Sequence, residues 1–150
     1  MGVGKRNLAH RASGGVFKED ILTLPEEVEL NLGWVSLRLV AHSGESRFRK
    51  VGGSPWRGAE GTILCYDCQN ATSFWNSLKW FQEIQRYSDY DCRIVIVETK
   101  NDADNRTVLQ DAGKLLADLI GVPFFSTSSK SGVMVKECFE EMGRLLLNED

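Results

Sequence analysis

Two hydrophobic rhythms take turns along the chain. Residues 35–41 (Val-Ser-Leu-Arg-Leu-Val-Ala) alternate with period two, as a half-buried strand does. Residues 28–32 can pair with them across a turn at Gly33-Trp34. Residues 61–67, 93–97 and 122–126 are short, nearly continuous apolar runs, which suit parallel strands covered on both faces. Between these runs the spacing becomes helical. Phe74, Leu78, Phe81 and Ile84 mark a helix over 72–87, with Thr72 or Ser73 as N-cap. Leu109, Ala112, Leu116 and Leu119 mark another over 107–120, stopped by Gly121 and Pro123. Val135, Cys138, Met142, Leu145 and Leu146 mark a third over 133–147, and a short helix is expected over 5–12. Strands alternating with helices predict an α/β fold: a mostly parallel sheet with helices on both faces. No repeat, low-complexity tract or linker interrupts the pattern, so 1–150 reads as one domain.

Composition narrows the function classes. A chain of 150 residues suits a single core, and 42% hydrophobic with 26% charged residues is ordinary for a soluble globular protein. The net charge of −3 and the lack of a basic stripe argue against nucleic-acid binding. No apolar run approaches the ~20 residues that span a bilayer, and the N-terminus lacks the apolar core of a signal peptide. Cys65 and Cys68 form a C-x-x-C, a spacing used in zinc and redox sites. Cys65 falls in an expected strand, where residues three apart face opposite sides, and no second Cys or His pair completes a zinc site. The four cysteines therefore read as reduced thiols in a cytosolic protein. The last residues carry no prenylation signal, and Arg6 stands where a myristoylation motif wants Ser or Thr, so no lipid anchor is expected.

Four segments carry candidate chemistry. Gly2-Val3-Gly4-Lys5 precedes a helix, where backbone N–H groups can point at phosphate and Lys5 adds a point charge. Alone this is only the tail of G-x-x-x-x-G-K-[ST]. Ser43-Gly44-Glu45-Ser46-Arg47-Phe48-Arg49 follows, then Trp56-Arg57-Gly58-Ala59-Glu60-Gly61. Lys100-Asn101-Asp102 comes directly after one apolar run, and Thr127-Ser128-Ser129-Lys130 directly after the next. In this order and context the four resemble the small GTPases, the Rab branch most closely, over essentially the whole chain. The stretch 47–87, through Trp80-Phe81-Gln82-Glu83-Ile84, carries the likeness most strongly.

The resemblance implies a P-loop G domain that binds GTP and GDP and serves intracellular membrane traffic. It assigns phosphate binding to Gly2, Gly4, Lys5 and Gly44, and γ-phosphate and magnesium sensing to Thr23. Lys100 would lie over the guanine, and Asp102 would accept its N1–H and N2–H. Ser128, Ser129 and Lys130 align with Ser-Ala-Lys, where a backbone N–H meets guanine O6. Trp56 aligns with an aromatic that Rab effectors contact, whereas Val28 and Val40 replace the other two members of that triad. A monomer is expected, cytoplasmic and reaching membranes through protein partners.

Several positions depart from the family. Arg6 replaces the hydroxyl residue that holds magnesium, and Ala41 replaces a carboxylate that organises it, which puts Mg2+ in question. Glu45 replaces the Gln that orients the attacking water; an ionised carboxylate only accepts hydrogen bonds and repels γ-phosphate. His42, beside it, is expected to be an exposed loop residue. Thr99 lacks the Asn side chain that ties the base loop to the P-loop, and Glu98 stands where the family has Gly. No residues are present for the first, central strand, so either the neighbouring strands pair directly or the natural beginning lies outside this sequence. The leading expectation is a guanine-nucleotide binder with weak or absent hydrolysis. The alternatives are a nucleotide-free interaction module and a degenerate, non-functional copy.

Overall fold

A computed structural model describes residues 5–15, 17, 27–40, 60–87 and 92–147. In chain order the elements are α1 (Lys5–Ala12), β1 (Glu27–Asn31), β2 (Ser36–Val40), β3 (Gly61–Asp67), α2 (Ala71–Tyr87), β4 (Arg93–Thr99), α3 (Gln110–Ile120), β5 (Phe124–Ser126) and α4 (Val135–Leu147). Strands β3, β4 and β5 form a parallel sheet in that order, in register Leu64↔Ile96 and Ile96↔Phe124. Strands β1 and β2 form an antiparallel hairpin, with Val28 opposite Leu39, around a turn in which Gly33 takes φ 90°. That conformation has no Cβ penalty only for glycine.

The alternating side chains of β4 build two cores. Ile94 and Ile96 join Leu64, Tyr66, Ile84, Val108 and Ala117 on one face, under α2 and α3. Val95 and Val97 join Leu8, Val135, Cys138, Phe139 and Met142 on the other, under α1 and α4. The hairpin adds Leu30 and Leu37 to this second core. Its turn also rests on α4, where a Cβ at Gly143 would lie 3.0 Å from both Trp34 and Val35. The α/β fold with helices on both faces of a parallel sheet is what the sequence pattern predicts. Direct pairing of β2 with β3 does not occur among the described residues; packing, not hydrogen bonding, joins the hairpin to the sheet.

Four details differ from expectation. Helix α2 begins one residue early, and its cap is Asn70, whose side-chain oxygen accepts the Ser73 N–H at 3.2 Å. Thr72 and Ser73 lie inside the first turn. Helix α3 starts at Gln110, so Leu109 precedes it in extended backbone and stays exposed. Leu119 is 87% exposed because the buried stripe runs through Ala112, Gly113, Leu116, Ala117 and Ile120. Phe139, absent from the expected stripe of α4, is buried beside Cys138. The stop at Gly121 is as predicted: it is left-handed, with its N–H donating to the Ala117 carbonyl at 2.8 Å.

Gly113 marks the closest approach of α3 to the sheet. A methyl there would overlap the Tyr66 hydroxyl and the Phe124 ring. Both neighbours belong to packed strands, so Gly113→Ala is expected to destabilise by about 1–3 kcal/mol. The gain of about 1 kcal/mol in helix propensity does not offset overpacking at the upper end of that range. Urea denaturation checks this; a higher midpoint for the variant would refute the close packing.

The four cysteines are free thiols. Burial pushes the Cys138 and Cys68 thiols up from 9.0, and burial with the nearby Glu98 pushes the Tyr66 hydroxyl up from 10.0. For an acid whose folded pKa is raised, the folded state keeps its proton after the unfolded chain has lost it. Stability therefore falls as pH rises through and above these ordinary values, by about 1.4 kcal/mol per pH unit for each such proton. Urea unfolding at successive pH values above 8 is expected to show a declining midpoint, and a flat profile would contradict it.

Candidate functional site

Ligands of open parallel sheets gather at the carboxyl ends of the strands. Here β4 and β5 end side by side, and the loops that follow are bonded to each other. The chain leaves β4 through Lys100, which is left-handed at φ 62°. Asn101 N–H then donates to the Thr127 carbonyl at 2.9 Å, and Ala103 N–H to the Lys100 carbonyl at 3.0 Å. After β5, Thr127 returns two hydrogen bonds to the Glu98 carbonyl, from its N–H at 2.7 Å and its hydroxyl at 2.8 Å. Ser128 Oγ donates to Asp102 Oδ1 at 2.7 Å and accepts the Ser131 N–H at 3.0 Å. The second loop closes through Gly132 N–H to the Ser128 carbonyl at 2.7 Å.

The structure thus brings Asp102, Ser128 and Ser129 together, with Lys100 and the exposed Lys130 in the same loops. Lys100 Nζ lies 2.8 Å from Asp67 Oδ2, which anchors its stem across the end of β3. Asp102 is exposed at the surface of the loop pair. The Ser129 hydroxyl is buried and has no hydrogen-bond partner among the described residues. The Ser129 carbonyl accepts Arg11 Nε at 2.7 Å, which ties α1 to this loop. Thr99 turns its hydroxyl to the Tyr66 carbonyl at 3.1 Å.

The other half of the expected site lies outside the described residues. This covers Gly2, Gly4, Thr23, Ala41, His42, Gly44, Glu45 and Trp56, together with the side chains of Lys5 and Arg6 at the start of α1. Among the described residues, no group of three or more His, Cys, Asp and Glu side chains is arranged to hold a metal.

A polar cluster behind the loops was not singled out from sequence. Glu98 is completely buried, and its carboxylate accepts four hydrogen bonds. Arg106 donates to Oε2 at 2.9 Å and to Oε1 at 2.8 Å, Tyr66 OH to Oε2 at 3.0 Å, and Ser126 Oγ to Oε1 at 2.8 Å. All lone pairs of the carboxylate are thereby used. Hydrogen bonding to Glu98 raises the Arg106 pKa further above its already high value. The sequence signal was an acid directly following an apolar run, with an Arg eight positions on.

Asp102 offers carboxylate acceptors at the rim of the loop pair, and Ser129 Oγ is a buried polar atom with no partner among the described residues.

Known proteins resemble this chain along most of its length. The sequence model of the Ras family matches residues 1–148. The rice "Ras-related protein RIC1" is 35% identical over 98% of this chain and 76% of its own length. The Saccharomyces cerevisiae "Ras-related protein SEC4" is 31% identical over 97% of this chain and 70% of its own. The Dictyostelium discoideum "Ras-related protein Rab-1D" is 37% identical over 76% of this chain, a match spanning 56% of that relative.

Proposed function

The chain belongs to the Ras family as a Rab-type small GTPase, and on that premise we propose that it binds GDP and GTP through a retained base site while hydrolysing GTP weakly or not at all. The observation that supports this most is the hydrogen bond from Ser128 to Asp102, which sets the carboxylate beside the Ser129 loop. In this reading Asp102 accepts guanine N1–H and N2–H, Lys100 covers the base, and the Ser129 backbone faces O6. An adenine presents no such donor pair, so the site selects guanine.

The phosphate end is weaker. Lys5 contributes charge, and Arg6 adds a fixed cation that neutralises phosphate without reproducing octahedral coordination. Phosphoryl transfer depends on positioning and charge stabilisation. Glu45 and Ala41 remove a water-orienting amide and a magnesium-organising carboxylate, so turnover is expected to be very slow. The family role is a switch in membrane traffic, and Trp56 would lie on its effector surface. Among the described residues no helix is long and apolar enough to cross a membrane.

Titration with fluorescent GDP, first with magnesium and then with chelator, tests the reading. The expected result is guanine-selective binding that chelator leaves nearly unchanged, with no multiple-turnover hydrolysis. Strong loss of affinity on chelation, or turnover at an ordinary Rab rate, would refute the account of Arg6, Ala41 and Glu45. A folded chain that binds no nucleotide would instead favour an interaction module, a reading supported by Arg6, Ala41 and Thr99.

A further inference from the structure

The loop from Lys100 to Val108 carries two of the proposed base-reading side chains, and it is fastened at both ends to one buried carboxylate. At its start, Asn101 Nδ2 donates to Ser126 Oγ at 3.2 Å, and Ser126 Oγ donates to Glu98 Oε1. At its far end Arg106 grips both oxygens of Glu98, and its Nη1 also donates to the Val108 carbonyl at 3.1 Å. Thr107 and Val108 N–H donate to the Cys68 carbonyl at 2.8 and 3.0 Å, pinning that end to the turn after β3. Thr99, meanwhile, spends its hydroxyl within the sheet.

We infer that Glu98 is a positioning residue for base recognition: with Arg106 and Ser126 it clamps the Lys100–Val108 loop and so holds Asp102 in guanine-reading geometry. The inference rests on the base-site reading above. A rigid shell behind a recognition group preserves discrimination, because a carboxylate free to wander accepts two parallel N–H groups poorly. The clamp also offers a local substitute for the tie lost at Thr99.

Two variants separate positioning from bulk stability. Glu98→Gln keeps the side-chain size but removes the charge that Arg106 grips. Ser126→Ala leaves the ion pair intact and removes the hydroxyl that bridges Asn101 to Glu98. The measured quantity is the affinity ratio of GDP to IDP, which lacks the 2-amino group and so reports one of the two hydrogen bonds to Asp102. Each variant is expected to weaken GDP by about tenfold, the worth of one charge-assisted hydrogen bond, and to lower the GDP:IDP ratio. A role confined to stability would shift unfolding while leaving the ratio unchanged, and that result would overturn the inference. Amide exchange on nucleotide-free protein gives the second readout. Faster exchange at Asn101 and Ala103, with Gly121 unaltered, supports the clamp, and unchanged exchange refutes it. If the wild-type chain binds no GDP, the base-site reading and the recognition role fall together. Exchange would then decide only whether the clamp orders the loop.

Discussion

Replacing Arg106 by methionine is expected to lower the unfolding free energy by about 3–5 kcal/mol, the usual cost of stranding one member of a buried ion pair. Glu98 is wholly inaccessible, and Arg106 supplies two of its four hydrogen bonds. Without the guanidinium, a carboxylate would remain in a core built of Tyr66, Val108 and Ile96. The companion substitution Glu98→Gln, made in the Arg106→Met background, should recover part of the loss because it removes the stranded charge. Urea denaturation of the single and double variants measures both effects. Additive losses would mean that the two side chains do not act as a pair.

The second large effect concerns binding. Asp102→Ala removes two charge-assisted hydrogen bonds to guanine in the proposed complex. It should therefore weaken GDP by about 3–4 kcal/mol, on the order of a hundred- to a thousandfold. ADP affinity should scarcely change. The fold should tolerate the substitution, because Asp102 is exposed and Ser128 keeps its bond from Ser131 N–H. Equilibrium competition against fluorescent GDP measures the loss. Equal weakening of both nucleotides would show that Asp102 does not read the base.

Much of this architecture is legible in the sequence. The runs at 61–67 and 93–97 are too short and too continuously apolar for anything but covered strands, and both appear as β3 and β4. Gly121 ends α3 because only glycine adopts its left-handed backbone without penalty. The order of Lys100-Asn101-Asp102 and Thr127-Ser128-Ser129-Lys130 after consecutive strands reveals the family, and the structure brings those two loops together. Leu109 and Leu119 misled for a definable reason. Leu109 shares the helical spacing but precedes α3, and Leu119 falls beside a buried stripe that runs through Gly113, Ala117 and Ile120. Glu98 follows an apolar run, where a charge normally means solvent. Its burial depends on Arg106 and Tyr66 converging from elsewhere in the chain, which spacing does not encode.

The decisive measurement is an amide chemical-shift map of the isotope-labelled chain titrated with GDP and, separately, with ADP. The account predicts that GDP shifts Lys100, Asn101, Asp102, Ser128, Ser129 and Lys130, while ADP leaves these resonances in place. Shifts by GDP confined to other parts of the fold, or equal shifts by both nucleotides, would contradict a guanine-selecting site at the ends of β4 and β5.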